Sequence, residues 1–465
     1  MYGASKRGNR TLIFRGFEFC HHRVLKNGNV VWRCNKRERC KCKATVVADG
    51  LRVVSNLEPH HSHEGNNSSC LARRAVGEMK LRLVDTLATP AGTQATVTST
   101  LPNHVLMALP KKTSLARILR RHRQQVHLSE GEVMPPIPTD TDFVMPARFK
   151  DFVLYDSGPG SDRIILLGCN ELMDALARAS LWLADGTFKV VPSIFFQLYT
   201  IHFQFVPGIN PAALYCIVTD KTRGTYDRIL DQLLIIIPTA APTVILTDFE
   251  SAAMGAFRAR FPNARISGCY FHLAQSILRK VNEVGLKREY ETRDDIRISL
   301  RCLAALSHVP VDDVPEAFDE LAESMPAAEH VDEVLTYFEH TYVRGRRLRG
   351  RGDNYAAPLF AIATWNQMEA AADGIARTNN ICEGWHHGLQ SLLQCSHPTM
   401  WRFLDGLSSD CVKQKTALLQ GVSGVSYPGE KRYRDLRERV QRAVASYGQT
   451  DVLTYLRAIA HLSYS

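Results

Sequence analysis

No long apolar run exists in this sequence. Its most hydrophobic stretch, around Leu233 to Leu246, is broken by Pro238 and Pro242 and is too short to cross a bilayer. The first ten residues, MYGASKRGNR, are polar and basic and lack the apolar segment of a secretory signal. No Gly-rich loop ending in Lys-Ser or Lys-Thr occurs, so the phosphate cradle of the common nucleotide hydrolases is excluded. Internal repeats and low-complexity tracts are missing as well. A soluble, intracellular protein without a membrane partner is therefore expected. In such a compartment the 12 cysteines read as buried thiols or metal ligands, not as a disulfide framework.

What is present suits a globular chain: 45% hydrophobic and 22% charged residues over 465 positions, long enough for two or more domains. The net charge of +10 is unevenly spread. Residues 1–125 carry 23 Lys or Arg against 7 Asp or Glu, a surplus of +16, and the remainder carries −6. A basic head before a mildly acidic body is the footprint of a nucleic-acid-binding segment; a solvated basic surface is the alternative.

Residues 1–66 read as short strands and turns. Thr11 to Phe19 alternates apolar and polar residues, Asn27-Gly28 is a hairpin signal, and Val30 to Cys34 resumes the strand. The apolar content is too small for a stable core, so a staple is expected. Cys34, Cys42, His61 and His63 supply a two-Cys, two-His set suited to tetrahedral zinc, with Cys40 a competitor for the place of Cys42. Residues 67–128 turn helical and basic, with Arg117, Arg120 and Arg121 on the last helix as candidate DNA contacts, or alternatively as a solvated connector. Pro135, Pro136, Pro138 and Pro146 mark a linker over 129–147.

Residues 148–410 form the expected α/β core, with a helical insertion at about 285–375, and residues 411–465 a helical C-terminal region. Three consecutive strands (181–190, 196–205, 212–218) precede alternating helices and strands, which is the order of an RNase H-like core. Two acids sit in this pattern at costly positions. Asp185 lies in the apolar strand of Ala184-Asp185-Gly186-Thr187-Phe188, and Asp248 follows the strand Val244 to Leu246. Strand C-terminal ends are where ligands gather in open α/β sheets; a helix N-cap is the other reading for Asp248. Glu383 falls in the first turn of a further helix. Three carboxylates suit Mg²⁺ or Mn²⁺ and phosphodiester cleavage, which needs cations to activate water and stabilise a leaving oxygen. Arg344, Arg346 and Arg347 lie in an arginine run that suits phosphate contact.

Two resemblances rest on these motifs. Gly16-Phe17-Glu18-Phe19, Trp32-Arg33-Cys34, Cys42-Lys43-Ala44-Thr45 and His61-Ser62-His63-Glu64 resemble a FLYWCH-type zinc finger over residues 1 to about 65, implying a β-rich zinc fold that binds DNA or protein. Asp185-Gly186-Thr187-Phe188, Thr247-Asp248, Cys269-Tyr270-Phe271-His272, Trp365-Asn366 and Arg377-Thr378-Asn379-Asn380 leading to Glu383 resemble a Mutator-like (MULE) transposase of the DDE class over roughly residues 145–410. That resemblance implies Asp185, Asp248 and Glu383 as metal-binding catalytic residues. It also implies strand hydrolysis followed by attack of the freed 3′-hydroxyl, a homo-oligomer that pairs DNA ends, and residence in the nucleus. Cys269 and His272 match its Cys-x-x-His signature, with a structural role or metal binding both open. Unlike some members, this sequence has no Cys/His-rich module after the core, its last cysteine being Cys411. A catalytically silent DNA-binding regulator is the alternative function.

Overall fold

The computed structural model describes residues 2–4, 10–50, 52–54, 59–84, 90–129, 135–206, 208–348, 354–374, 380–424 and 431–463. The chain divides into two units, Met1–Pro136 and Ile137–Ser465.

In the first unit, six strands form an antiparallel sheet in chain order: β1 (Tyr2–Ala4), β2 (Arg10–Phe14), β3 (Phe17–Val24), β4 (Val30–Cys34), β5 (Thr45–Asp49) and β6 (Arg52–Val53). The single strand expected over Thr11 to Phe19 is in fact a hairpin. Arg15 and Gly16 both take positive φ, 50° and 79°, the geometry of a two-residue hairpin turn. So tight a turn keeps the apolar alternation in phase, with Leu12 opposite Phe19, which is why the pattern reads as continuous. The sheet's core consists of Leu12, Phe19, Trp32, Cys34, Cys42, Ala44, Val46 and Ala48. Two alanines and two cysteines among eight core residues leave little apolar area to stabilise it. Helices Asn67–Val84, Pro90–Thr98 and Lys112–Ser129 pack around Met79, Leu83, Val97, Leu115 and Leu119. Buried Glu18 of β3 ties the two parts together, accepting hydrogen bonds from Asn35 and from Arg73 of the first helix.

The second unit is built on a seven-stranded mixed sheet. Its strands are β7 (Val153–Asp156), β8 (Ile164–Leu167), β9 (Leu181–Thr187), β10 (Gln197–Phe203), β11 (Ala212–Val218), β12 (Val244–Thr247) and β13 (Arg265–Gly268), ordered β13-β12-β9-β10-β11-β8-β7. β9, β10 and β11 form an antiparallel meander, and β12 and β13 add in parallel on the outer side of β9. Helices Arg223–Ile236 and Ser251–Arg260 make the crossovers into β12 and β13. Every residue of β10 and β11 is buried. β7, β8 and helix Asn170–Arg178 were not anticipated, because a four-residue run such as Ile-Ile-Leu-Leu has no period that separates strand from buried helix.

Between helix Tyr270–Glu283 and helix Asn380–Leu393 lie the helices Lys287–Thr292, Asp294–Ala305, Val314–Glu323, Val331–Phe338, Ile362–Trp365 and Met368–Ala372. The boundary expected at 410/411 falls inside the 23-residue helix Met400–Val422. The last helix, Val452–Ser463, packs on Asp294–Ala305, and Tyr455 donates to the carbonyl of His308. Among the described residues no helix is long and apolar enough to cross a membrane.

Leu183, Leu246 and Cys382 form a separate buried cluster joining β9, β12 and helix Asn380–Leu393. Leu246→Ala is expected to destabilise the second unit by about 2–5 kcal/mol, the cost of emptying a core leucine site. Urea unfolding followed by tryptophan fluorescence tests this, and an unchanged midpoint would show that the cluster does not hold these elements together.

Candidate functional site

Two clusters of chemically capable side chains stand out, one in each unit. In the first, one ligand atom each from Cys34, Cys42, His61 and His63 lies within 4.8 Å of the others. Cys34 Sγ is 3.2 Å from His63 Nε2 and Cys42 Sγ is 3.3 Å from His61 Nδ1. The edges of a zinc tetrahedron, built from bonds of 2.0–2.3 Å, run to roughly 3.3–3.8 Å, so the set fits zinc. Cys34 ends β4, Cys42 precedes β5, and both histidines follow β6, so a bound ion joins the strand ends. His63 Nδ1 lies 3.0 Å from the carbonyl of Glu64, a contact that fixes the tautomer and frees Nε2 for metal. Phe17 stacks on His61 at 3.5 Å and holds that ring in place. Burial pushes the Cys34 thiol up to about 11. Burial acts the same way on Cys42, but hydrogen bonds from the backbone at Ala44 and Ser62 outweigh it and lower its pKa. Cys40 is not a member of the cluster, and His60 is exposed.

The second cluster grows from the parallel register of β9 and β12. Leu246 lies beside Leu183 and Thr247 beside Ala184, so the next step brings Asp248 level with Asp185. Asp185 is 4% exposed, and the N–H of Gly186 donates to its Oδ1 at 2.8 Å. Burial and the adjacent Asp248 carboxylate together push the Asp185 carboxyl up to about 9: two acids sharing one apolar wall resist ionising together. Asp248 does not cap the helix after it. Glu250 occupies that N-cap position. Gly268 of β13 lies against this segment, where an added Cβ would meet the Phe249 ring at 2.3 Å; only glycine admits the ring that anchors the backbone beside Asp248.

Helix Asn380–Leu393 packs on β9 and places Glu383 across the His272 ring from Asp248. Among the described residues only the Cys/His set has three or more such ligand atoms within 4.8 Å of one another, so the three acids are near but not gathered as tightly. The His272 ring has Nδ1 3.0 Å from Asp248 Oδ1 and Nε2 3.6 Å from Glu383 Oε1. Burial opposes its charge, but interactions with Asp248 and Cys269 prevail and raise its pKa to about 11. His272 thus sits between two of the acids, and is not only a structural residue of its motif. Cys269, fully buried, is the N-cap residue of helix Tyr270–Glu283, which sets His272 in the first turn. Sequence reasoning gave no role to His386, whose Nδ1 is 3.5 Å from Asp185 Oδ2; its place three residues after Glu383 on one helix face was the available signal. Burial lowers its pKa to about 4.

Residues 181–276 match the MULE transposase domain. Residues 2–63 match the FLYWCH zinc finger domain. No curated protein matches the chain. The MULE match contains Asp185, Asp248, Cys269 and His272 and stops before Glu383. Arg377 to Asn379 of the motif leading to Glu383 lie outside the described residues.

Around the MULE-matching segment, other motif residues act as braces. Trp365 is fully buried and donates to the Tyr342 carbonyl at 2.9 Å, Asn366 donates to Val309 at 2.7 Å, and Gln367 reaches the Gly268 carbonyl at 2.8 Å. Behind Glu383, buried Asp410 accepts hydrogen bonds from Trp385 Nε1 at 2.8 Å, Tyr215 at 2.9 Å and Gln414 at 3.2 Å. It thereby fixes the helix that carries Glu383 and His386. Arg344, expected to contact phosphate, is instead committed internally. It pairs with Asp319 and, at 3.4 Å, with Glu339, and donates to the Pro315 carbonyl. Its loop lies against helix Val314–Glu323, whose acids neutralise it. Arg346 and Arg347 are exposed, as are Arg117, Arg120 and Arg121 opposite the buried Leu115 and Leu119.

Two outcomes are expected. Cys34→Ser should abolish stoichiometric zinc and open the FLYWCH-matching unit to protease; zinc content equal to that of the parent would remove the ligand assignment. Asp410→Ala strands three donors and should cost on the order of 2–4 kcal/mol, with faster amide exchange along helix Asn380–Leu393. Unaltered exchange there would show that Asp410 does not position the helix.

Proposed function

We propose that the chain is a DDE-type DNA transposase, in which Asp185, Asp248 and Glu383 hold Mg²⁺ or Mn²⁺ and the zinc-stabilised first unit binds DNA. The observation that carries this reading is the level placement of Asp185 and Asp248 on neighbouring parallel strands, with Glu383 reached through one imidazole ring. The antiparallel meander with two parallel strands added beside its first strand supports an RNase H-like core. The donor set also fits a hard divalent cation: all three acids offer oxygen, and a cation would offset the burial and the Asp248 repulsion that raise the Asp185 pKa.

When bound, the cation supplies Lewis-acid polarisation of a phosphoryl oxygen and a more acidic water. The protein's part is to hold the acids in place. The Gly186 N–H fixes one oxygen of Asp185, Phe249 against Gly268 fixes the Asp248 backbone, and the Asp410 network fixes the Glu383 helix. The reaction is two displacements at phosphorus. In the first, water adds and a 3′-oxygen departs as a hydroxyl; in the second, that hydroxyl attacks a second phosphodiester and expels its 3′-oxygen. The surplus of +16 in residues 1–125, with Arg117, Arg120 and Arg121 exposed on one helix, supports phosphate binding by the first unit. Action in the nucleus as a homo-oligomer that pairs two DNA ends belongs to the same proposal.

Asp248→Asn should eliminate Mn²⁺-dependent nicking of supercoiled plasmid while DNA affinity stays within about two-fold of the parent's. Nicking at the parent's rate would rule out Asp248 as a catalytic ligand and leave a DNA-binding regulator as the better account.

A further inference from the structure

The turn joining β9 to β10 has an unusual distribution of apolar residues. It buries Val190 and Val191 at 1% exposure and Phe195 at 6%, yet leaves Phe188 42% and Phe196 45% exposed. These two rings meet edge to face, with centroids 5.3 Å apart. Phe188 comes three residues after Asp185 and lines a cleft of about 580 Å³ that also contains Asp248, Lys221 and Arg279, a volume in the range of small-ligand sites. Lys221 Nζ is 5.8 Å from the Phe188 ring centre. Lys221 and Arg279 are exposed, and neither forms an ion pair among the described residues.

The turn is also anchored on both sides of the acid cluster. β9 carries Asp185 into it, and His397, just beyond the Glu383 helix, donates its backbone N–H to the Lys189 carbonyl at 3.1 Å and bonds the Val191 carbonyl through its ring at 3.0 Å. The two rings are therefore held at a fixed distance from the carboxylates. Burying a phenylalanine side chain is strongly favourable. Two left half-bare beside a charged cleft, in a turn that buries Val190, Val191 and Phe195, indicate a ligand with a flat apolar face and a negative charge.

We propose that Phe188 and Phe196 form a stacking platform for an unpaired DNA base next to the phosphate held at the acid cluster, with Lys221 and Arg279 taking the flanking phosphates. This rests on the nucleic-acid reading above and adds that the strand at the site is locally unpaired. A base in a duplex has its faces covered by its neighbours, whereas an extruded base offers one to a ring; such stacking is sequence-tolerant.

The test uses the full zinc-loaded chain without Mg²⁺ or Mn²⁺ and without chelator, so that binding is separated from cleavage while the first unit keeps its zinc. A fluorescein-labelled thymidine oligonucleotide and a duplex of equal length are compared by anisotropy, and a 5-iododeoxyuridine oligonucleotide is photocrosslinked and mapped by mass spectrometry. Phe188→Ala and Phe196→Ala should each weaken single-strand binding about ten-fold while duplex binding through the basic first unit is unchanged. Phe188→Trp should restore binding that Phe188→Leu does not, and the crosslink should map to Phe188 or Phe196. Single-strand affinity unchanged by both alanine variants, an equal loss on both probes, or crosslinks confined to residues 1–136 would overturn the platform and leave the rings as a protein-docking patch. Crosslinking at Phe188 in a protein that never nicks DNA would support the platform and defeat the catalytic reading; nicking with unaltered single-strand binding in the variants would do the reverse.

Discussion

The second unit is organised around one electrostatic problem: two carboxylates, Asp185 and Asp248, stand level on adjacent parallel strands, the first almost wholly buried and the second at the edge of a cleft. Acids side by side in a buried setting do not both ionise without a compensating charge, and the nearby structure offsets only part of it. His272, set by Cys269 at the start of its helix, brings its ring between Asp248 and Glu383. The Gly186 N–H takes an oxygen of Asp185, and His386, kept neutral by burial, completes that side. A hydrophobic floor of Leu183, Leu246 and Cys382, each one or two residues from an acid, ties the geometry to the core. The carboxylates cannot separate without breaking apolar packing.

The zinc cluster in the first unit solves a different problem by comparable means. There the difficulty is a core too small to hold six short strands, and the remedy is four ligands at strand ends, braced by Phe17 on His61 and by the Glu64 carbonyl on His63. In both units a few polar contacts do work that apolar area alone does not. The difference lies in access: two thiolates and two imidazoles close round an ion and leave no position for substrate, whereas the acids open onto a cleft lined by aromatic and basic residues.

The helices between Lys287 and Ala372 are part of this architecture, not an appendage. Gln367 stitches them to the end of β13, Trp365 and Asn366 tie them to one another, and Phe360 and Tyr342 pack on Phe249 beside Asp248. The same packing explains why Arg344 is occupied internally: once helix Val314–Glu323 lies beside its loop, Asp319 and Glu339 satisfy the guanidinium before any phosphate reaches it.

Much of this was legible in the chain itself. The strands β9 to β13 follow from apolar period and turn residues, and the two aspartates from the cost of an acid in an apolar strand, all of which are local; the choice of zinc ligands and of Glu383 rests on the resemblance of their flanking motifs to known families. The turn at Arg15-Gly16 was hidden because a tight hairpin preserves alternation, and β7 and β8 because four apolar residues have no period. Position across the sheet was the decision of tertiary structure. Asp248 stands level with Asp185 only through the register of β12 on β9, His272 lies between acids 135 residues apart only because two helices converge there, and Arg344 is neutralised by a helix some 25 residues away. Sequence records which groups can carry charge; folding decides which charges must share a site, because Coulomb energy depends on distance in space and not along the chain.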